Sequence, residues 1–416
     1  MKYIKLLMLL FITFSCNNTK ENNRSFRFNN TNCKKLLEHT NELVELDTVS
    51  KVIKIDLNTT KDLIMASELF EEVKYVSLET NDKSVIGSVS NVAISDSKIF
   101  IADPYISSSI KVFESDSGRY MFSLKPSGKG PNEFLSMLTF NINESNKEIV
   151  INDDRMSKLV HFDFNGNFIR SQKSKFRFNE FCFLSQGKMI FHTHKRNNVF
   201  CDGIKNYGIL IQDSISQITK KGARFNESTR DVTFSGFNSF CQNIDAITYN
   251  FPLSNEIYVI ENDTIRNKYV VDFCENNLPK DFDVNKTDRQ FSKKYQVKDS
   301  DYAFIYPDGV FEDSIVLHFN VLYKTKLINV FYFKRSGKTL YAYGIKPDMN
   351  EFILMGKYVG NIDGKLITYV SGQELYQYSR WLMQNENTIS QEVVDKLDNI
   401  VESDNGMLGI LKFKKQ

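Results

Sequence analysis

Lys98-Ile99-Phe100-Ile101-Ala102-Asp103 is the stretch that decides the fold, because it returns 50 residues later as Glu148-Ile149-Val150-Ile151-Asn152-Asp153. Both copies are short apolar runs that end in an acid, as expected for a strand followed by a turn. A second strand follows each copy, since Ile110-Lys111-Val112-Phe113 is repeated as Leu159-Val160-His161-Phe162. Repetition at a fixed spacing indicates one supersecondary unit that is used several times.

Further runs of the same kind continue the series along the chain. They are Lys188-Met189-Ile190-Phe191, Ile257-Tyr258-Val259-Ile260, Ile315-Val316-Leu317-His318-Phe319 and Leu366-Ile367-Thr368-Tyr369-Val370. The six runs recur at a mean spacing of about 53 residues. A period near 40–50 residues with about four strands is typical of propeller blades. The sequence therefore predicts an all-β, six-bladed β-propeller over residues 51–416.

The last blade is predicted to be composite. Its C-terminal strands would be 366–370 and 407–413, and an N-terminal strand, either 52–57 or 73–78, would complete it. Such pairing of the chain ends closes the ring and covers a sheet edge. Between the two C-terminal strands, apolar residues with helical spacing predict a helical insert over 373–402.

The N-terminus has the order of a secretory signal. Lys2 and Lys5 precede the apolar run 6–12, which is too short for the roughly 20 residues that span a bilayer. Cys16 follows a small residue, and this arrangement resembles the lipobox of bacterial lipoproteins. The resemblance implies a signal peptide over 1–15 and a lipid on Cys16. The alternative is an ordinary signal with a chance cysteine.

Residues 16–50 are expected to be a flexible tether, because the stretch 17–32 is rich in Asn and charged residues. A short helix is possible within 33–46. Asn17 follows the lipidated cysteine, and in other Gram-negative bacteria a residue other than Asp there favours the outer membrane. The sequence leaves open whether the domain faces the periplasm or the outside.

Charge and cysteine content limit the possible partners. The chain has 53 basic and 51 acidic residues, and removal of the signal leaves the two balanced. This balance argues against a nucleic-acid partner and leaves membrane anchoring to the lipid. Beyond Cys16 the cysteines are odd in number, and either a disulfide or buried free thiols fits them. They are Cys33, Cys182, Cys201, Cys241 and Cys274.

Three motifs carry a family resemblance. They are Leu78-Glu79-Thr80-Asn81-Asp82 leading into Ile86-Gly87, Gly128-Lys129-Gly130-Pro131-Asn132-Glu133-Phe134, and Glu402-Ser403-Asp404-Asn405-Gly406-Met407-Leu408. Together they resemble the six-bladed β-propeller lipoproteins of Bacteroidetes-type bacteria. Gly406 stands where that family has Pro. The resemblance implies a fold and a location, and it supplies no biochemical activity.

The glycine-rich stretch 128–134 has two interpretations. Its backbone amides could bind an anion, but it lacks the Lys-Ser/Thr ending of a phosphate loop. We favour a fixed connection between blades, in which Gly128 and Gly130 permit a tight turn, Pro131 restricts it and Glu133 caps nearby amides.

Asp103, Asp153, Asp154, His192 and His194 are the candidate ligands of a site at the channel mouth. The acids follow strands at equivalent positions, and lactonase-like propellers bind calcium with acids there. His192 and His194 lie two apart on one strand face and could bind a metal with His161 or His318 as a third ligand. The simpler alternatives are turn-forming aspartates and a polar pair at a strand end.

The sequence shows no recognisable catalytic motif and has no Gly-x-Ser-x-Gly elbow. The leading expectation is a non-catalytic binding or scaffold module for a glycan, peptide or protein. The alternative is a metal-dependent enzyme, either a lactonase-like hydrolase or a glycan lyase, for which calcium is the candidate cofactor. A third possibility is a structural subunit of an envelope complex, which would expose a large apolar patch.

Overall fold

The structure is a computed structural model. It describes residues 28, 30–46, 51–193, 196, 198–213, 216–224, 240–242, 246–250, 254–261, 264–279, 300–346, 348–349, 356–385, 401–402 and 404–416. The predicted signal 1–15, Cys16 and His194 lie outside the described residues.

Strands dominate the described chain. They are β1 (Asn41–Glu42), β2 (Val44–Leu46), β3 (Lys51–Lys54), β4 (Lys61–Met65), β5 (Phe70–Ser77), β6 (Asn91–Ser95), β7 (Lys98–Asp103), β8 (Ser109–Glu114), β9 (Tyr120–Leu124), β10 (Thr139–Asn143), β11 (Glu148–Asp153), β12 (Lys158–Asp163), β13 (Phe168–Lys173), β14 (Glu180–Phe183), β15 (Met189–His192), β16 (Tyr207–Gln212), β17 (Ile218–Arg224), β18 (Phe240–Gln242), β19 (Ile247–Asn250), β20 (Glu256–Glu261), β21 (Thr264–Asp272), β22 (Ala303–Glu312), β23 (Val316–Tyr323), β24 (Lys326–Phe333), β25 (Thr339–Lys346), β26 (Lys357–Ile362), β27 (Lys365–Val370) and β28 (Met407–Phe413). The α-helices are α1 (Cys33–Leu36), α2 (Ala66–Leu69) and α3 (Gly372–Asn385), and single 3₁₀ turns occur at Leu57–Thr59, Ser185–Gly187 and Cys274–Asn276.

The described strands form six sheets, each with a core of four antiparallel strands. Sheets 1 to 5 are β6–β9, β10–β13, β14–β17, β18–β21 and β22–β25, and sheet 6 is β26–β28 followed by β5. The inner strand of each sheet contacts the inner strand of the next, and β26 of sheet 6 contacts β6 of sheet 1. This arrangement confirms the predicted all-β propeller.

The repeated apolar run is explained by burial on both faces of each sheet. In β7, Ile99 and Ile101 join the apolar cluster between sheets 6 and 1. Phe100 and Ala102, the residues between them, join the cluster between sheets 1 and 2. Because neighbours on a strand point to opposite faces, one continuous apolar run serves two interfaces.

The closing sheet combines both ends of the chain, as predicted. β28 lies between β27 and β5, and Leu408 is paired with Val76 across the β28–β5 ladder. Of the two predicted N-terminal strands, 73–78 is therefore correct and 52–57 is wrong. Lys51–Lys54 pairs in parallel with β21 of sheet 4 instead.

Residues 41–46 and 51–65 add strands to the outer edges of three sheets, and we call these residues the belt. Its strand β1 adds in parallel to β17 of sheet 3, β2 and β3 add to β21 of sheet 4, and β4 adds to β25 of sheet 5. The tether predicted over 16–50 thus extends too far, because residues 33–46 pack on the propeller. The physical reason is that Leu43 is buried between sheets 3 and 4 and its backbone N–H donates to Lys221 O at 2.7 Å.

The two predicted helical regions are small. α1 matches the short helix expected within 33–46, and the Asn32 side chain caps its first turn. α3 matches the first part of the insert predicted over 373–402, with Leu375 buried, and residues 386–400 lie outside the described part. Within the described ranges, no helix is long and apolar enough to cross a membrane.

Candidate functional site on the upper face

The face at which the second strand of each sheet ends is called the upper face. Asp103 ends β7 there and is fully buried. Its carboxylate accepts hydrogen bonds from Gly87 N at 2.9 Å, Ser88 Oγ at 3.2 Å, Ile106 N at 3.2 Å and Ser107 Oγ at 2.9 Å. It therefore joins the connection that enters sheet 1 to the loop that leaves β7.

Asp153 does the same in sheet 2, where it ends β11 and is also fully buried. It accepts from Leu135 N at 2.8 Å, Ser136 Oγ at 2.9 Å and Met156 N at 3.1 Å. The two predicted mouth ligands thus have equivalent partners, and these partners are donors of the protein itself. Among the described residues, no group of three or more His, Cys, Asp or Glu side chains could hold a metal ion.

His192 points away from a shared ligand site. It is buried in the place that Ala102 and Asn152 occupy in sheets 1 and 2, and its Nε2 lies 2.8 Å from Tyr249 OH of sheet 4. The proposed third ligands are engaged within their own sheets. His161 Nδ1 lies 2.9 Å from a Glu148 oxygen, and His318 Nδ1 lies 3.0 Å from Val330 O.

The glycine-rich connection 128–134 has the contacts that a structural role requires. Glu133 Oε2 accepts from Gly130 N at 2.7 Å, and a Cβ at Gly128 would lie 2.4 Å from the same oxygen. Lys158 Nζ donates to Gly130 O at 2.7 Å. The Glu133 carboxylate thus already accepts the hydrogen bond of the backbone N–H that a bound anion would need. Pro131 is exposed and takes no part in these contacts.

The C-terminal motif has the same clamping function between sheets 6 and 1. Asn405 Oδ1 accepts from Ile86 N at 2.8 Å, and its Nδ2 donates to Glu79 O at 2.7 Å. Gly406 has φ +83°, which proline cannot adopt. The proline of the family pattern would therefore need a different backbone conformation at this position, and glycine fits the one observed.

Sheet 3 uses a clamp that the sequence did not reveal. Asn198 Oδ1 accepts from Arg177 N at 2.8 Å, and Asn198 Nδ2 donates to Arg177 O at 3.0 Å. Thr193 stands in this sheet where sheets 1 and 2 have their aspartates, and its hydroxyl donates to Tyr207 O. The clamp fixes the connection that enters sheet 3.

Arg177 itself is the unusual residue of this face. It is only 3% exposed, and its Nη1 and Nη2 have no hydrogen-bond partner among the described residues. Asp154 is the acid that faces it, with Oδ1 at 3.9 Å from Arg177 Nε. A sequence signal exists in hindsight, because Arg177 lies between Phe176 and Phe178, which are both buried.

The described cysteines are free thiols and form no disulfide, which is the second of the two expectations. All five described thiols are free, and Cys182, Cys201 and Cys241 are buried. Burial raises the pKa of the Cys241 thiol to about 12, so it is not a reactive thiolate at neutral pH.

Residues 50–412 match the model of a protein family described as a domain of unknown function, DUF4934. The chain belongs to the DUF4934 family. No curated protein matches this DUF4934 chain in sequence.

Two of the solved structures that match this chain come from Bacteroides. The crystal structure of a Bacteroides fragilis protein described as exported has a TM-score of 0.69 and 17% identity, covering 88% of this chain and 100% of that one. A DUF4221 member from Bacteroides vulgatus has a TM-score of 0.46 and 10% identity, with 83% and 98% coverage. At these identities the likeness concerns the fold.

Proposed function

We propose that this chain is a lipoprotein of the cell envelope, anchored in the outer membrane through a lipid on Cys16. The basic and apolar order of residues 2–12 supports export, and so does the exported Bacteroides fragilis relative. We further propose that the six sheets are six blades of one closed ring, which the contact between β26 and β6 supports. Lipid labelling of the intact chain tests the anchor, and it should be lost in Cys16→Ser.

The propeller is proposed to act as a non-catalytic binding module that recognises an anionic group on a glycan, peptide or protein. The observation that carries this is the buried Arg177 guanidinium with two unpartnered nitrogens among the described residues. Asp154 Oδ1 lies 3.9 Å from Arg177 Nε, but buried donors that are left without an acceptor still cost free energy. Both nitrogens are buried, so a carboxylate, sulfate or phosphate that forms a bidentate pair with them must displace the groups that now cover them.

The hydrogen bonds of Asp103 and Asp153 favour binding over metal-dependent catalysis. Both carboxylates are buried and accept from the protein's own donors, so recruiting either one to calcium would break several hydrogen bonds. The contacts described for these acids are all to the protein's own donors, and none of them orients a carboxylate toward a substrate. The function proposed here therefore uses Arg177 and not the acids predicted from sequence.

The test is calorimetric titration of the mature chain with oligogalacturonides, sulfated glycan fragments and an acidic peptide. One of these classes should bind, and Arg177→Met should weaken its binding at least tenfold. Arg155→Met is the matched control, because Arg155 lies on the neighbouring loop with an exposed side chain. The Arg155→Met variant should bind the same ligand as tightly as the wild type does.

The unliganded variants provide a second criterion. Since Arg177 lacks partners for two nitrogens, Arg177→Met should unfold at the same temperature as the wild type or higher. A loss of several kcal/mol in the free energy of unfolding would show that Arg177 has an internal structural role. That result, or anion binding that is equal in Arg177→Met, would contradict the proposal.

A further inference from the structure

The belt shows how an outer strand of this propeller receives another segment. In sheet 3, β1 pairs in parallel with β17 at Lys220 and Lys221. Glu42 of the belt accepts from Tyr207 OH at 2.5 Å and lies 3.9 Å from Lys221 Nζ. An acidic and apolar extended segment thus covers a basic outer strand.

Sheets 1, 2 and 6 each have an outer strand that no described strand covers, and β13 of sheet 2 is the most exposed of the three. Among the described residues, no strand pairs with the outer side of β13, and all six of its residues are exposed. Phe168 and Ile169 are 40% and 42% exposed, so this edge presents two large apolar side chains to solvent. We call β13 with residues 174–175 the open edge.

The charge of the open edge is positive. Its sequence Phe168-Ile169-Arg170-Ser171-Gln172-Lys173-Ser174-Lys175 contains three basic residues and no acid. Arg170 is neutralised by Glu148, with contacts of 2.5 and 2.9 Å. Lys173 and Lys175 remain, and the hydrogen bond of Lys175 Nζ within the described ranges is to a carbonyl, Ser216 O at 3.0 Å.

A narrow cleft of about 10 Å³, which has room for about one water molecule, adjoins this edge where sheets 2 and 3 meet. Phe176, Phe178 and Phe191 form its apolar wall, while Lys173 and Lys175 line the opening. Ser174 also lines the cleft, and its buried Oγ has no hydrogen-bond partner among the described residues. The cleft therefore places a polar group and two cations beside the edge, and it is too small to receive a side chain.

We propose that the open edge binds an extended, acidic segment of a partner protein, which adds to β13 as a further parallel strand. Main-chain hydrogen bonds to β13 provide affinity, and side-chain pockets provide specificity in this mode of recognition. Acidic side chains of the segment face Lys173 and Lys175. The open edge ends at Lys175, two residues before Arg177, so variants of each site are needed to distinguish them.

The experiment is selection of a random peptide library, displayed on phage, against the mature chain with Cys16→Ser. Enriched peptides should alternate apolar and acidic residues, and fluorescence anisotropy then gives their affinities. The double variant Lys173→Glu/Lys175→Glu should weaken them at least tenfold. Lys125→Glu is the matched control, because Lys125 follows β9, the outer strand of sheet 1, and it should bind as the wild type does.

Three outcomes would overturn the proposal. The enriched peptides could lack acidic residues, or they could bind the double variant as well as the wild type. Peptide binding could also appear only in a chain that begins at residue 28, which would make the chain's own N-terminal stretch the occupant. Peptides that are lost in Arg177→Met but kept in the double variant would support the proposed function and contradict the edge.

Discussion

Sheets 1 and 2 differ from sheet 3 at one corner of the same four-stranded frame. In the first two, a buried aspartate ends the second strand and accepts three or four hydrogen bonds from the adjoining loops. In sheet 3, Thr193 stands there, the loop to β16 is longer, and Asn198 clamps the entering chain. A carboxylate fixes a short corner, whereas its absence permits a long loop that needs other supports.

The N-terminal segment supplies one of these supports. Leu36 of α1 is buried, and a Cβ at Gly203 would lie 2.3 Å from Leu37 Cδ1. Phe28 stacks on Phe200 with ring centroids 5.2 Å apart. The long loop of sheet 3 is therefore held by residues that precede the propeller. Arg177 lies beside this loop, since its backbone N–H donates to Asn198 of the loop.

Replacing the corner acids should give the largest difference between the sheets. Asp103→Ala or Asp153→Ala should lower the free energy of unfolding by about 3 kcal/mol, because each leaves several buried donors without an acceptor. Thr193→Ala in sheet 3 removes one neutral hydrogen bond and should cost about 1 kcal/mol. Urea unfolding measures both, and equal small losses would show that the corner acids are not structural.

The belt provides a second contrast, between a covered edge and an open one. Leu43→Ala should cost about 3 kcal/mol, since Leu43 is buried between sheets 3 and 4. Ile169→Ala on the open edge of sheet 2 should stay within about 0.5 kcal/mol of the wild type. A small effect of Leu43→Ala in the same unfolding assay would mean that the belt is not packed on the propeller.

The Asn198 clamp should matter less than the acids but more than Thr193. Asn198→Ala removes both side-chain bonds to the Arg177 backbone and should cost about 2 kcal/mol. Asn198→Asp keeps the acceptor for Arg177 N and loses the donor, so its loss should be intermediate. Hydrogen exchange of the Arg177 amide should rise in Asn198→Ala, and unchanged protection would rule out the clamp.

The smallest expected effect is a pH dependence of stability that arises from His161 in sheet 2 and has no counterpart in sheet 1. Burial lowers the pKa of His161, although its hydrogen bond to Glu148 acts in the opposite direction. The folded pKa is therefore below the unfolded value of about 6.5, and the unfolded chain binds the proton more readily. Stability is unaffected well above pH 6.5 and falls as pH decreases below it, by at most about 1.4 kcal/mol per pH unit.

Sheet 1 supplies the control for this dependence, because Val112 occupies the position that His161 has in sheet 2. His161→Val should reduce the slope of stability against pH between neutrality and the acid limb of the wild-type curve. Urea unfolding at several pH values measures the slope. An identical slope in both proteins would contradict a buried, neutral His161.

The repeat made most of the fold predictable, because burial on both sides of a sheet requires apolar residues at consecutive positions such as Ile99 and Phe100. The belt was not predictable, since β1 is two residues long and pairs with Lys220 and Lys221 far along the chain. Its stretch 52–57 was recognised as a strand, but the sequence could not show that β21 of sheet 4 is its partner.

The candidate site was predicted less well, for a physical reason. The sequence placed Asp103 and Asp153 at equivalent corners, but it could not show whether a metal or backbone donors would face them. The partner of His192 is Tyr249 from the next sheet, which strand spacing does not indicate. Arg177 was missed because an arginine between two phenylalanines is informative only when its burial is known.

The role of the Asp103 and Asp153 carboxylates is tested most directly by calcium titration of the wild type and Asp153→Ala, followed by thermal unfolding. With both acids engaged by the protein's own donors, calcium should leave the wild-type midpoint unchanged, and Asp153→Ala should be equally destabilised with calcium or with EDTA. A calcium ligand at 100 times its Kd would stabilise the fold by about 2.7 kcal/mol. A shift of that size in the wild type, reversed by EDTA and absent from Asp153→Ala, would show that the acids bind metal.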